Sequence, residues 1–294
     1  MSLMRRLVLK PLKITIKDYN SRRRKQALFA DLAPLVPPLN AMFDGAQDYD
    51  AFKSNGEEFF RIYREVCGLR PDERMLDVGS GIGRKTLPLT RYFDERAAYE
   101  GIDITRAGID WCRAKITPRF PRFRFRHVNV YNAHYNPRGT VAAKEFRFPF
   151  DDRSFTFVAL GSVFTHMLPD DVENYLSEVS RVLVAGGRCL ITYFLLNTES
   201  LQSIEAGKSA LNFKHPFAKY RVVSLRDPEK AIALDEEWIT GVYGKVGLDI
   251  VRTDYGSWCR RNAHLNLQDM ILAVRRNLTD ASTPSGRALS ISGS

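Results

Sequence analysis

From Arg74 onward the chain alternates short β-rich runs with helical stretches, and this alternation narrows its fold more than any other feature. The runs "RMLDVG", "AYEGIDI", "RFRFRHVNV", "SFTFVALGS" and "RCLITYFLL" are separated by helical segments, among them ones starting near Arg84, Arg106 and Asp170. Strand and helix in alternation define βαβ units, because neighbouring parallel strands need a crossover long enough to hold a helix. The predicted fold is therefore α/β, a mostly parallel sheet with helices on both faces. A further helix in "DEEWITGVYGKVG" precedes two strand-like runs, "LDIVRTDYG" and "QDMILAVRR", close enough to pair antiparallel.

Around this core the organisation divides into three parts. Residues 1–68 read as a basic arm and a helical extension, in which Phe59, Ile62, Tyr63 and Val66 recur at helical spacing before Gly68. Residues 69–276 hold the main domain, with an insertion at about 197–233 where the pattern lapses into mixed polar, aromatic and proline-bearing sequence. Residues 277–294, rich in Ser, Thr and Gly, are expected to be disordered.

Hydrophobic residues make up 44% and charged residues 27%, an ordinary globular composition. No apolar run reaches the roughly 18 residues of a membrane span. Cys67, Cys112, Cys189 and Cys259 form no CxxC pair, which excludes a zinc ribbon or thioredoxin motif and accords with free thiols in a reducing cytoplasm. The apolar stretches of "MSLMRRLVLKPLKITIK" are cut by Lys10, Pro11 and Lys13 before reaching signal-peptide length. Its cations also resemble a transit peptide, against which stand the scarce serine and Pro11. Of the net charge of +10, residues 1–30 supply +8, from nine Lys/Arg against Asp18. Such an arm suits nucleic acid or an anionic membrane surface, and a solvated terminus is the plain alternative.

The chemistry is expected at "LDVGSGIGR", where the first strand turns into the first helix, the place where open α/β sheets bind ligands. Gly79, Gly81 and Gly83 admit a ligand against the main chain where a Cβ would collide. The spacing is G-x-G-x-G, with Arg84 in the slot of the third dinucleotide glycine, which disfavours NAD. Asp103 ends the second strand, where a carboxylate accepts both hydroxyls of a ribose; a helix N-cap is the alternative. Asp77, inside an apolar strand end, needs partners, either loop amides or the ammonium of a ligand.

These stretches resemble the class I S-adenosylmethionine-dependent methyltransferases from about Leu69 through Arg276. "LDVGSGIGR" is similar to their first motif and "YEGIDITRAGIDWC" to their second; the block from Phe146 to Phe194 matches their fourth strand, helix, "GG" turn and fifth strand. The resemblance implies a Rossmann-like sheet of seven strands with the last antiparallel. It also implies that Asp77, Gly79, Ser80, Gly81 and Gly83 surround the methionine part of S-adenosyl-L-methionine, with Asp103 on the ribose, Ile104 on the adenine, and Ser162 a further cofactor contact. Many members carry an aspartate after the third strand to meet the adenine; here "VNVYN" makes Asn129 the candidate.

"GSVFTHML", residues 161–168, leaves the fourth strand where an acceptor should meet the methyl group. His166 is the histidine placed there, and its ordinary pKa near 6.5 suits a general base; capping or packing under the next helix is the alternative. No Asn/Asp-Pro-Pro-aromatic tetrad and no cysteine follows the fourth strand, which argues against base or glutamine amide N-methylation and pyrimidine attack. Asp170 with Asp171 reads as a helix start, so no metal is expected. "PRFPRFRFRH" interleaves arginines with phenylalanines, which fits single-stranded nucleic acid, or more plainly a strand with phenylalanines inward and arginines outward. "YGSWCRR" offers Trp258, Arg260 and Arg261 either to an acceptor or to a packed turn. The function expected is methyl transfer to an oxygen of a small-molecule acceptor, such as a sugar or other polar metabolite. An RNA methyltransferase using the basic arm, and a non-catalytic cofactor-binding partner protein, are the alternatives.

Overall fold

The computed structural model describes residues 16–43 and 45–277. The front half of the basic arm, with Arg5, Arg6, Lys10 and Lys13, and nearly all of the expected tail lie outside the described residues. In chain order the elements are α1 (Ile16–Phe29), α2 (Tyr49–Arg61), β1 (Arg74–Val78), α3 (Thr86–Leu89), β2 (Ala98–Asp103), α4 (Arg106–Lys115), β3 (Phe123–His127), β4 (Phe155–Leu160), α5 (Pro169–Val182) and β5 (Leu183–Tyr193). They continue with β6 (Leu195–Leu196), α6 (Thr198–Glu205), β7 (His215–Pro216), β8 (Tyr220–Val222), β9 (Ile232–Asp235), α7 (Glu236–Lys245), β10 (Leu248–Asp254) and β11 (Asp269–Arg275).

Seven strands form the main sheet in the order β10-β11-β5-β4-β1-β2-β3. β1 to β5 run parallel, and β11 pairs antiparallel with both β5 and β10. This is the predicted Rossmann-like sheet with its antiparallel last strand. The central strands are buried on both faces, which is why β1 reads as an apolar run and not as an alternation. Edge strand β3 alternates instead: Phe123 and Phe125 are buried while Arg124 and Arg126 point out. Those arginines meet partners in their own chain, Arg126 donating to the Pro149 carbonyl and Arg124 lying 3.8 Å from the Glu100 carboxylate; Arg122 likewise donates to the Asp94 carbonyl.

Two cores result, one on each face. Leu76, Val158, Leu160 and Ile191 pack with Val172, Leu176 and Val179 of α5 and Ile239 and Val242 of α7. On the opposite face Met75, Tyr99 and Phe157 pack with Ile109 and Cys112 of α4 and with Phe29, Phe52, Phe59 and Tyr63 of the N-terminal extension. α2 starts where the Asp48 carboxylate accepts from the Ala51 amide at 2.7 Å, a side-chain cap for an otherwise orphaned N–H. The extension thus completes the second core. Arg24 of α1 pairs with Asp50 of α2, and Lys25 donates to the Val36 carbonyl at 2.6 Å, so part of the basic segment serves the fold.

Three local expectations change. The helix expected from about Arg84 shrinks to the four residues of α3, whose Pro88 lacks a donor and crowds the preceding turn. The run "RCLITYFLL" breaks at Phe194: β5 stays in the main sheet, while β6 joins a second sheet in the order β6-β9-β8-β7. The insertion supplies α6 and most of that second sheet, in strands of two to four residues, too short to leave a period. Among the described residues no helix is long and apolar enough to cross a membrane.

Candidate functional site

The carboxyl ends of β1, β2 and β4 open onto one cleft enclosing about 1050 Å³, its open mouth included. Gly79, Ser80 and Gly81 form one wall, Asp103, Ile104 and Thr105 the next, and Gly161, Ser162, Val163 and His166 the third. The structure therefore brings together residues spread over nearly ninety positions of the sequence.

Asp103 sits at the end of β2, 8% exposed. Its Oδ2 accepts from the Gly81 amide at 2.8 Å and its Oδ1 from the Thr105 amide at 2.6 Å. Each oxygen keeps a second lone pair, so the carboxylate ties the glycine loop to β2 and can still accept from a diol. Burial pushes its pKa up, against the pull of these bonds and of the Lys85 charge. Asp103 is not the N-cap of α4; Thr105 occupies that position.

Asp77 does not line the cleft. It is fully buried beneath the glycine loop, and its partners within the protein are side chains, not loop amides. The Tyr99 hydroxyl donates to Oδ2 at 2.8 Å, and the Lys85 ammonium lies 3.6 Å from Oδ1. Lys85 also donates to the carbonyls of Gly79 and Gly161, each at 3.3 Å, joining the loops that follow β1 and β4. Sequence reasoning missed both partners, because nothing in a lysine on a helical turn or a tyrosine on a strand marks it as the counterpart of Asp77.

The glycines divide by role. At Gly79, φ is +80° and a Cβ would stand 2.5 Å from Cγ2 of Val163, so the bare backbone admits the loop after β4. At Gly83, φ is +87° and a Cβ would meet Ile116 Cδ1 at 2.7 Å; this glycine seats α4 and its flanking turn, away from the cleft. Of the glycine loop, Gly79, Ser80 and Gly81 line the cleft. Asn129 also lies off the cleft: it is exposed, and its amide donates to Thr140 Oγ1 at 2.9 Å. Its apolar neighbours Val128 and Val130 line the cleft instead, with Asn132. Ser162 lies on the wall at φ +62°, fixed by its amide donating to Thr192 Oγ1 at 2.7 Å.

His166 closes the far end. Its Nδ1 lies 2.8 Å from the carbonyl oxygen of Glu229, which accepts only, so Nδ1 carries the proton and Nε2 bears the lone pair. Nε2 is 3.5 Å from the Tyr135 hydroxyl, and the Tyr135 ring stands edge-on to the rings of His166 and His134. Burial, first among the causes, pulls the His166 pKa below its ordinary value. His134 pairs through Nδ1 with Asp227 Oδ2 at 2.7 Å, and the Glu229 carboxylate accepts from the Ala133 amide. These contacts clasp the loop after β3 to the insertion. Asp171, Tyr135 and Glu229 complete the lining; Glu229 lies 63 residues from His166, a pairing that only the fold creates.

Trp258 and Arg261 are not in the cleft. Trp258 is fully buried, and both donate to the buried Asp269, at 2.7 and 3.1 Å, so "YGSWCRR" is a packed turn. Among the described residues no group of three or more His, Cys, Asp or Glu side chains is placed to hold a metal ion.

A parallel sheet with an antiparallel seventh strand, a glycine turn after β1 and an acidic residue closing β2 are the features of the class I methyltransferase fold. Residues 76–191 match the family model described as "Methyltransferase domain". Over that stretch the chain is similar to the class I S-adenosylmethionine-dependent methyltransferases, the family its sequence motifs resemble. It is 26% identical to the arsenite methyltransferase of Mus musculus over 147 residues, 48% of this chain and 37% of that protein. Against the ubiquinone/menaquinone biosynthesis C-methyltransferase UbiE of Vibrio cholerae it is 29% identical over 134 residues, 46% of each chain. The matched stretch thus spans less than half the length of these relatives. In fold, the chain is similar to the PH0226 protein of Pyrococcus horikoshii OT3, with a TM-score of 0.53 at 15% identity over 79% of this chain and 93% of that one. The magnesium protoporphyrin IX methyltransferase of Synechocystis PCC 6803 gives a TM-score of 0.50 at 14% identity, over 89% of this chain and 96% of that one.

Proposed function

We propose that this protein is an S-adenosyl-L-methionine-dependent methyltransferase acting on a hydroxyl oxygen of a small polar acceptor. The observation that carries the acceptor chemistry is the tautomer of His166: with Nδ1–H committed to the Glu229 carbonyl, Nε2 is a proton acceptor on the wall of the cleft. The residues present fit the cofactor. Asp103 has lone pairs for a ribose diol, Ile104 and Val128 offer apolar contact for a base, and the Ser80 hydroxyl, buried and without a hydrogen-bond partner among the described residues, stands beside Gly79 and Gly81 for the amino-acid end.

When bound, the cofactor supplies a methyl group on a sulfonium, whose carbon–sulfur bonding pair returns to sulfur as the acceptor oxygen bonds to carbon. The protein's part is to hold both molecules in line and to receive the hydroxyl proton at His166 Nε2. Lys85 keeps the glycine loop and the loop after β4 at a fixed separation. The proposed division is an arm and extension at 1–68, a methyltransferase domain at 69–276 with its insertion at 197–233, and a tail at 277–294. A cytoplasmic setting accords with four buried, free cysteines.

Two measurements test the reading. Calorimetric binding of S-adenosylhomocysteine should weaken by about 10- to 100-fold in Asp103→Ala, the loss expected for hydrogen bonds to a charged group. Unchanged affinity would remove the ribose assignment. Transfer of labelled methyl into extract fractions should place label among small molecules; label in RNA would favour the basic arm as a substrate-binding element, and binding without any product would favour a non-catalytic protein.

A further inference from the structure

The half of the cleft around His166 carries two carboxylates that no Lys or Arg among the described residues pairs with directly. Glu229, 8% exposed, reaches it from the turn at 228–230. One carboxylate oxygen accepts from the Ala133 amide, and the other makes no hydrogen bond within the described residues. The charges acting on Glu229 are two further acids, Asp171 and Asp227, and His134, which already pairs with Asp227. Asp171 lines the same cleft from the first turn of α5, half-buried and braced by backbone near Leu168 and Lys144, with the charges of Asp170 and Lys144 acting on it in opposite senses and last among the causes. Neither carboxylate forms an ion pair with Lys or Arg among the described residues. The two such residues that line the cleft, Arg84 and Lys85, stand at the glycine-loop end, where Lys85 serves Asp77.

Burying a carboxylate without a counter-charge is costly, and a ligand cation offsets that cost. At the mouth of this half stand Tyr131 and Tyr135, 46% and 40% exposed, whose ring faces attract cations as well. Resting on the proposed methyltransferase reading, we propose that the acceptor is a hydroxyl compound that also bears a protonated amine, an amino alcohol or amino sugar, whose ammonium is held by Glu229 and Asp171 while its hydroxyl faces His166. Carboxylate- and phosphate-bearing acceptors are repelled by the same two residues, and a neutral polyol leaves them uncompensated.

The test is labelled methyl transfer from S-adenosylmethionine by the full chain into a small-molecule extract, against a control without protein. Products are first separated by reversed-phase chromatography from unreacted S-adenosylmethionine, itself a cation, and then passed over cation- and anion-exchange resins. Label retained on the cation exchanger supports the proposal. Label on the anion exchanger, or in the unretained neutral fraction, overturns it while leaving the methyltransferase reading intact. No label in any small-molecule fraction counts against the proposed function itself. Glu229→Gln and Asp171→Asn, each nearly isosteric, should lower label in the cationic fraction by at least about tenfold. Their urea unfolding should match the parent, showing that the chain is folded; unchanged labelling by both variants would also overturn the proposal.

Discussion

At the scale of single residues, the site depends on which groups face a ligand and which hold up those that do. Lys85 belongs to the second kind. It is buried beside Asp77, and without it that carboxylate keeps only the Tyr99 hydroxyl. Lys85→Met should destabilise the fold by about 3 kcal/mol or more, as removal of one partner from a buried pair does, measured by urea unfolding. His166 is of the first kind. His166→Gln should lower turnover by about 100-fold or more and leave S-adenosylhomocysteine affinity intact. Because burial pulls its pKa below 6.5, the neutral, proton-accepting form persists into mildly acid solution. Turnover should rise with pH through that lowered value and reach its plateau by about pH 6.5, an inflection absent in the glutamine variant. The sign for stability is the same. With the folded-state pKa below the unfolded one, the contribution is complete above about pH 6.5 and is lost as pH falls through the lowered folded value.

Legibility also divides at this scale. Gly79, Ser80, Gly81, Asp103, Ile104, Ser162 and His166 were readable because each sits at a strand end whose place follows from the alternation, and all line the cleft. Asp77 and Gly83 belong to the same motif but turn inward, and a motif does not record which of its members face a ligand. Asn129 was misplaced by one residue of strand parity: past the end of β3, Val128 and Val130 face the cleft and Asn129 faces Thr140.

At the scale of elements, burial decides more than pattern. The turn from Gly256 to Arg261 is held by Asp269, the first residue of β11, which accepts from the Leu195 and Gly256 amides at 2.6 Å each, and from Trp258 and Arg261. Burial raises the Asp269 pKa to about 6 despite these four donors. Asp269→Ala would leave the Arg261 guanidinium buried with one carboxylate fewer and strand the donors of β6 and the turn. A loss of about 3–5 kcal/mol is expected, with amide exchange accelerating first in β6 and at Gly256. The sequence showed strand β11 clearly. It could not show that the aspartate beginning it fastens the second sheet to the first, since every partner lies on another element.

At the scale of the whole molecule, the cleft is assembled from separate parts of the chain. The loops after β1, β2 and β4 build the wall expected to hold the cofactor, and the insertion and the loop after β3 build the roof of the other half. The roof is clasped by Asp227 with His134 and by Glu229 with the Ala133 amide. Asp227→Asn should loosen this clasp and shorten the residence time of a bound adenosyl ligand in stopped-flow displacement, by about three- to tenfold, with little change in thermal stability, because the pair is partly solvated. An unchanged residence time would show that the clasp does not limit exit. The architecture of the sheet was visible before the structure because parallel strands impose long periods on the sequence, whereas the roof, made of very short strands and turns, imposes none.

The break at Phe194 sets the insertion apart from the main sheet. One strand leaves the main sheet and begins the second within two residues, so the insertion is spliced between β5 and α7 without disturbing the order of the sheet. Changes within residues 197–233, Glu229 included, would therefore alter the roof of the cleft while leaving the order of the main sheet and the loops after β1, β2 and β4 in place.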